Sequence, residues 1–256
     1  MFHMEHQEWF KDWFNTHYYH ILYQHRDEKE ADFFIKNIVN KINLPKGSLI
    51  WDNACGKGRH AYVFSKYGYS VIGTDICENN IDFAIKEYLS SEQNIARGQN
   101  LSFFIHDMRR EFYVNYFDLA VNLFTSIGYF ENDFENEKSI KIMVHSVKRS
   151  GYVMIDFLNP VYVLNNIVPH ETKIIDSIKF DIKRKVLGNT VIKEISVYEG
   201  DNKYVFFEKV KLLPRVFFLN TLSFSGVKNV EVFGDYALSP FNESVSPRMI
   251  FLGRKG

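Results

Sequence analysis

At 256 residues, with 46% apolar residues and 16% aromatics, the chain is long enough to enclose a full hydrophobic core and too long for a minimal module. Lysine plus arginine equals aspartate plus glutamate at 31 each, which excludes the global basic field that non-specific nucleic-acid or anionic-membrane binding exploits. Cys55 and Cys77 offer neither a disulfide framework nor a metal-ligand spacing, and charges interrupt every apolar stretch, so a cytoplasmic protein without metal or membrane span is expected.

Trp9, Phe10, Trp13, Phe14 and His17 recur at helical spacing, which predicts one amphipathic helix whose aromatic face covers something else. Asp27 with Glu30 three residues on reads as an N-terminal cap, and Ile35, Ile38, Val39 and Ile42 keep one stripe until Pro45 and Gly47. Residues 1–45 are therefore read as lid helices.

From Ser48 the pattern changes to short apolar runs separated by helical stretches. Residues 48–52, 70–75, 101–107, 117–122 and 152–157 read as buried strands. Helical stripes lie between them: Ile81, Ala84, Ile85, Tyr88 and Leu89 form one, Ile140, Met143, Val144 and Val147 another, and residues 58–66 a third. This alternation predicts a doubly wound α/β domain with a mostly parallel sheet, over 46–158 and 213–256. Between these parts, 159–212 reads as an inserted antiparallel meander. Ile178, Phe180 and Ile182 share one face, and Gly188-Asn189 and Gly200-Asp201 mark its turns. That face suits a roof over a pocket or a homodimer contact. Pro214 and Gly226 bracket a last helix, and 227–235 and 248–253 close the chain as strands.

The chemistry gathers at the strand ends. The first strand ends in Asp52, followed by Asn53 and the small-residue turn Ala54-Cys55-Gly56-Lys57-Gly58; the next ends in Asp75-Ile76. Such a crevice at the carboxyl ends of parallel strands binds nucleotides. Small residues let a ligand sit against bare backbone, so a large side chain at Ala54, Gly56 or Gly58 is expected to fill its volume. Gly56, Gly58 and Ala61 also satisfy the dinucleotide fingerprint, but Asp52 beside the turn would repel a pyrophosphate and attract an amino-acid ammonium. Asp107-Met108 end the third strand, where a carboxylate can accept from an adenine amine and a thioether can pack on the ring. Asn122-Leu123 end the fourth.

These residues resemble class I S-adenosylmethionine-dependent methyltransferases, in particular the small-molecule branch with an inserted sheet. The resemblance implies a Rossmann-like, mostly parallel seven-stranded sheet, S-adenosylmethionine as cofactor and S-adenosylhomocysteine as product. It implies that the Asp52 to Gly58 turn, with Asn53, Ala54, Cys55 and Gly56, cradles the methionine part. It implies that Asp75 and Ile76 hold the ribose, that Asp107 and Met108 hold adenine, and that Asn122 and Leu123 lie beneath the sulfonium. Ala54 departs from the family's first glycine, and alanine lacks free access to left-handed backbone angles.

Arg26 is a candidate partner for the cofactor carboxylate, because a guanidinium matches that group bidentately. Ser126 and Tyr129 are the candidates for touching substrate, with Tyr18 and Phe130 as further aromatic walls and Tyr19 and Tyr23 beside them. His60 and Tyr129 are the weak candidates for catalysis, since methyl transfer demands alignment more than a fixed base. The expected function is methyl transfer to N or O of a small molecule. An RNA or protein methyltransferase, a nicotinamide-dependent reductase and a non-catalytic cofactor binder stay as alternatives.

Overall fold

The computed structural model describes residues 8–24, 28–90 and 100–256. Three helices lead the chain: α1 (Trp9–Phe14), α2 (His17–Leu22) and α3 (Glu28–Ile42). The aromatic stripe predicted one helix where α1 and α2 stand. Thr16 splits it, donating its hydroxyl to the Trp13 carbonyl at 2.8 Å and accepting from the Tyr19 amide at 3.2 Å. A cap of this kind is worth about 1 kcal/mol, enough to favour a new helix start over continuation.

The elements then alternate as β1 (Leu49–Asn53), α4 (Arg59–Lys66), β2 (Ser70–Asp75), α5 (Glu78–Tyr88), β3 (Leu101–Ile105), β4 (Phe117–Asn122), α6 (Asp133–Ser146), β5 (Val147–Leu158) and α7 (Pro160–Asn165). A four-stranded antiparallel sheet follows, made of β6 (His170–Ile175), β7 (Ile178–Leu187), β8 (Thr190–Glu199) and β9 (Asn202–Lys211). Helix α8 (Arg215–Phe224) and strands β10 (Val227–Phe233) and β11 (Arg248–Lys255) return to the main sheet.

That main sheet has seven strands in the order β10-β11-β5-β4-β1-β2-β3. The pairs β1–β2, β1–β4, β2–β3 and β4–β5 are parallel, whereas β11 is antiparallel to both neighbours. Alternate side chains of β1 enter opposite cores. Ile50 joins Phe34 and Ile38 of α3 and Val63 and Phe64 of α4, while Trp51 joins Ile140 and Met143 of α6 and Phe218 of α8. Burial on both faces is why the central strands read as unbroken apolar runs. Val147, expected to extend the helical stripe, instead opens β5.

The inserted sheet packs inward on the leading helices. Ile178, Phe180 and Ile182, with Ile195 and Val197, bury against Trp13, Tyr18 and Leu22. The face expected to roof a pocket or meet a second subunit is covered by α1 and α2 of the same chain. Strand β6 was not foreseen; its HETKII sequence stays largely exposed and carries no apolar face. No helix among the described residues is long and apolar enough to cross a membrane.

Candidate functional site

The chain reverses after β1 through three left-handed residues, Ala54 (φ 62°), Gly56 (φ 56°) and Gly58 (φ 78°). Alanine was expected to resist this conformation, yet Ala54 adopts it at a cost of about 1 kcal/mol. The two glycines answer different needs. A Cβ on Gly56 would meet nothing within 4 Å, because the position opens on a cleft. A Cβ on Gly58 would lie 2.5 Å from the Phe103 ring, so Gly58 serves close packing of α4 on the sheet. The expectation that a side chain at Gly58 would fill ligand space is corrected accordingly.

Asp75, at the tip of β2, fixes this turn. Its Oδ2 accepts from the Gly56 amide and its Oδ1 from the Cys77 amide, both at 2.9 Å. Burial raises its pKa above the ordinary carboxyl value, although those amides pull the other way. Asp52 lies deeper, 1% exposed, with the Ala61 amide as its hydrogen-bond donor and Oδ2 unpartnered. Burial, with Asp75 adding repulsion, pushes Asp52 up to about 7.

Unsatisfied polarity concentrates here. Among the described residues, seven buried side-chain polar atoms lack a partner, and five of them belong to Asp52, Asn53, Asn80 and Asn122. Asn53 contributes both its amide atoms; Asn122 donates to the Asn53 carbonyl at 2.8 Å and leaves its own Oδ1 unpaired. Each such atom costs roughly 1–3 kcal/mol, and a cluster at neighbouring strand tips is a place built to meet another polar molecule.

Three cavities adjoin these tips and share walls. An apolar recess of about 60 Å³ lies among Phe10, Ile76, Asp107, Met108 and Phe130. The main cleft, about 400 Å³, runs past Cys55, Gly56, His60, Asp75 and Leu123. A chamber of about 190 Å³ lies beyond it, between Trp9, Thr125, Leu158, Glu208 and Arg248. Phe14 and Tyr129 line all three.

Asp107 is already engaged. Arg109 grips it through Nε at 3.0 and 3.1 Å and Nη2 at 2.7 Å, and donates its backbone amide at 2.9 Å. Burial opposes ionisation there, yet these bonds outweigh it and hold the carboxyl below its ordinary range. Arg109 also reaches Glu8 at 2.5 Å and Glu135 at 3.0 Å, and its guanidinium stacks over Phe130. One side chain thus ties the start of the leading helices to the floor of the recess.

The turn after β4 is strained at Phe124 (φ 69°) and Thr125 (φ 64°) and is braced from two other strands. Asp156 of β5 accepts from the Phe124 amide at 2.9 Å, while Arg248 of β11 bonds Asp156 at 2.7 Å and the Thr125 hydroxyl at 2.8 Å. Strain held by surrounding groups is typical of places where a ligand is handled.

The structure brings most of the predicted residues together. Ala54, Asp75, Ser126 and Tyr129 line both recess and cleft; Ile76, Asp107, Met108 and Phe130 line the recess; Cys55, Gly56, His60 and Leu123 line the cleft. Asp52, Asn53 and Asn122 lie beneath them, fully buried. Tyr18 does not reach any of the three cavities. It is packed between α2 and the inserted sheet with its hydroxyl on Glu199 at 2.6 Å, so its assignment to substrate is withdrawn. Arg26 lies outside the described residues. His60 is pushed down to about 3 by burial and by the adjacent Arg59 charge, which makes it a poor proton acceptor. Sequence reasoning missed Arg109, Glu208 and Arg248, whose partners lie far away along the chain.

Residues 51–155 match the family model described as "Methyltransferase domain". The match spans 105 of the 256 residues, from Trp51 in β1 to Ile155 in β5, and so includes the strand-tip turn and most of the cleft it borders. No curated protein sequence matches it. Among solved structures, it is similar to a S-adenosylmethionine-dependent methyltransferase from Clostridium acetobutylicum ATCC 824, with 16% identity, TM-score 0.77 and coverage of 94% of this chain and 97% of that one. It is similar also to the sugar N-methyltransferase KedS8 from Streptoalloteichus sp ATCC 53650, with 16% identity, TM-score 0.69 and coverage of 93% and 92%. A third is CalS10 with bound SAM, an amino pentose methyltransferase from Micromonospora echinaspora, with 14% identity, TM-score 0.67 and coverage of 94% and 98%.

Proposed function

We propose that the chain transfers the methyl group of S-adenosylmethionine to an amino nitrogen of a small polar acceptor of amino-sugar size. The observation that carries this reading is the set of unpartnered polar atoms on Asp52, Asn53 and Asn122 beneath a cleft that shares walls with both an apolar recess and a polar chamber. Bound there, the cofactor supplies a methyl group on a positive sulfur, the activated carbon of the reaction.

The protein's own residues bind and align. Asp52, Asn53 and the Ala54 to Gly56 backbone take the amino-acid end, where a buried carboxylate and amide match an ammonium. Asp75 takes the ribose hydroxyls, and Ile76, Met108 and Phe130 enclose the adenine, with Asp107 at its edge. Leu123 lines the cleft, with Asn122 buried beneath it. With an acceptor nitrogen held in line, the cofactor would supply its methyl group and retain the electron pair of the carbon–sulfur bond, and the proton lost by the nitrogen would pass to water. Alignment of the two reactants accounts for up to about 7–11 kcal/mol of barrier in well-oriented cases.

The amine acceptor is supported by the sugar N-methyltransferase and the amino pentose methyltransferase among the similar structures, and by a chamber of about 190 Å³ walled by aromatic rings and a carboxylate. In this reading residues 1–45 are the lid, 46–158 and 213–256 the cofactor domain, and 159–212 the insertion that shapes the acceptor chamber. Buried, unpaired Cys55 and Cys77 suit a cytoplasmic enzyme. The test is calorimetry with S-adenosylhomocysteine, followed by mass spectrometry of an amino-sugar panel incubated with S-adenosylmethionine. Binding below about 100 μM and a mass gain of one methyl on an amine are expected. Absence of any binding sinks the reading.

A further inference from the structure

The inserted sheet places the carboxylate of Glu208 in the chamber wall. Glu208, on β9, is 17% exposed and carries three donors, Trp13 and Tyr23 from far along the chain and Lys193 from the paired position on β8. Its Oε1 accepts from the Trp13 indole and from the Tyr23 hydroxyl, both at 2.7 Å. Its Oε2 meets Lys193 at 3.2 Å, and Lys193 also donates to the Tyr23 hydroxyl. Trp13 and Tyr23 belong to the leading helices, so the carboxylate is held from both sides of the chamber.

A tie between helix and sheet does not need a charge here. Trp13, Tyr18 and Leu22 already bury against Ile178, Phe180 and Ile182, and Glu199 already binds Tyr18. Moving a carboxylate and an ammonium out of water is costly, and an apolar or neutral contact would hold the helices equally well. The two oxygens are also unequally used. Oε1 takes two donors, whereas among the described residues Oε2 takes Lys193 alone, at a separation longer than the usual charge-assisted bond. A carboxylate oxygen accepts two hydrogen bonds, so Oε2 has capacity for another donor.

Among the described residues, the other charged group in the chamber is committed elsewhere, since Arg248 binds Asp156 and Thr125. Around them stand Trp9, Tyr19, Phe124 and Tyr129, rings suited to the face of a saturated ring and to a cation. Tyr19, Tyr23, Phe124 and Tyr129 belong to cleft and chamber alike, so an acceptor held here lies against the wall of the cleft.

We propose that Glu208 is the specificity-determining residue of this enzyme, its carboxylate receiving the amino group of the acceptor in the chamber while Tyr23, Trp13 and Lys193 fix its orientation. The inference rests on the methyltransferase reading of the adjoining cleft. It assigns the choice of an amine over a neutral amide or hydroxyl to the inserted sheet, not to the cofactor domain.

The test uses the full chain saturated with S-adenosylhomocysteine and two probes, D-glucosamine and N-acetyl-D-glucosamine, followed by saturation-transfer NMR and calorimetric titration. The wild-type chain should bind glucosamine at least tenfold more tightly than the acetylated sugar. Glu208→Gln keeps an acceptor oxygen for Trp13 and Tyr23 and removes the charge; it should lose the preference while retaining S-adenosylhomocysteine affinity within twofold. Glu208→Asp should recover part of it. Glu199→Gln, which weakens the other helix–sheet tie away from the chamber, should leave the preference intact. Equal binding of the two sugars by the wild type, an undiminished preference in Glu208→Gln, or an equal loss in Glu199→Gln overturns the proposal. So does failure of glucosamine to bind a chain that binds S-adenosylhomocysteine. A wild-type chain that does not bind S-adenosylhomocysteine overturns the underlying reading and this inference with it.

Discussion

Asp156 and Arg248 form an ion pair of 2.7 Å between neighbouring antiparallel strands, with Asp156 fully buried and Arg248 19% exposed. The pair does more than join β5 to β11. Asp156 Oδ2 accepts the Phe124 amide and Arg248 holds the Thr125 hydroxyl, so both left-handed residues of the turn are pinned by one bridge. Removing one partner leaves a desolvated charge and frees the strained turn.

Asp156→Ala should therefore destabilise the chain by about 3–5 kcal/mol, as for other broken buried pairs. Asp156→Ala with Arg248→Met should cost clearly less than the sum of the two single changes, because no charge is left unpaired. Urea denaturation of the three variants checks this. Strict additivity would mean that the two residues act independently.

The strand-tip site was legible because its carboxylates end apolar runs that are adjacent in sequence to the turn they serve: Asp52 before Ala54, Asp75 after the next run, Asp107 after the third. The bracing groups were not. Arg109 meets Glu8 across 101 positions and Trp13 meets Glu208 across 195, so local pattern carries no sign of either. Helix splitting at Thr16 escaped notice because the aromatic stripe continues in phase through it, while the cap depends on one hydroxyl. Strand β6 escaped because an exposed edge strand gives neither of the two strand signals, a buried apolar run or apolar–polar alternation.

Ala54 holds a conformation that glycine reaches without strain. Ala54→Gly should raise stability by about 0.5–1 kcal/mol, less than the full strain because glycine also gives the unfolded chain more freedom. For a chain of this length that corresponds to a rise of about 1–4 °C in Tm. Differential scanning fluorimetry checks it, and a lower Tm would show that the methyl group contributes packing that outweighs its strain.

In the proposed reading, the elevated Asp52 gives cofactor binding a pH dependence. Burial raises its pKa from 3.8 to about 7, so between these values the folded chain binds a proton that the unfolded chain has released. Its contribution to stability is present below about 4 and is lost as pH rises through about 7. His60 runs oppositely: depressed from 6.5 to about 3, it favours the fold above 6.5 and ceases to do so as pH falls towards 3. Ligand binding isolates Asp52, because an ammonium is attracted to the ionised form alone. S-adenosylhomocysteine affinity should climb as pH rises towards 7 and level off above it, and Asp52→Asn should flatten the profile and weaken binding at pH 8 by about tenfold, or 1.4 kcal/mol. Calorimetry from pH 5.5 to 8.5 reads both effects; a parallel slope in the variant would exclude Asp52 as the titrating group.

Gly56 and Gly58 look interchangeable in the sequence and should not behave alike. Both sit at positive φ, so alanine costs about 1 kcal/mol at either from the backbone alone. At Gly58 the added methyl also meets the Phe103 ring at 2.5 Å, in a packed layer between α4 and the sheet. Overpacking of that kind adds roughly 1–3 kcal/mol, for a total loss of about 2–4 kcal/mol. At Gly56 the methyl enters open space on the cleft side, beside the amide that Asp75 holds. Stability should fall by only about 1 kcal/mol there, while S-adenosylhomocysteine affinity drops at least about tenfold because the methyl occupies volume against which the ligand must lie. Paired denaturation and calorimetry on the two variants separate the cases. If Gly58→Ala lost affinity without stability, or Gly56→Ala lost stability without affinity, the division of labour within the turn would be the reverse of what the geometry shows.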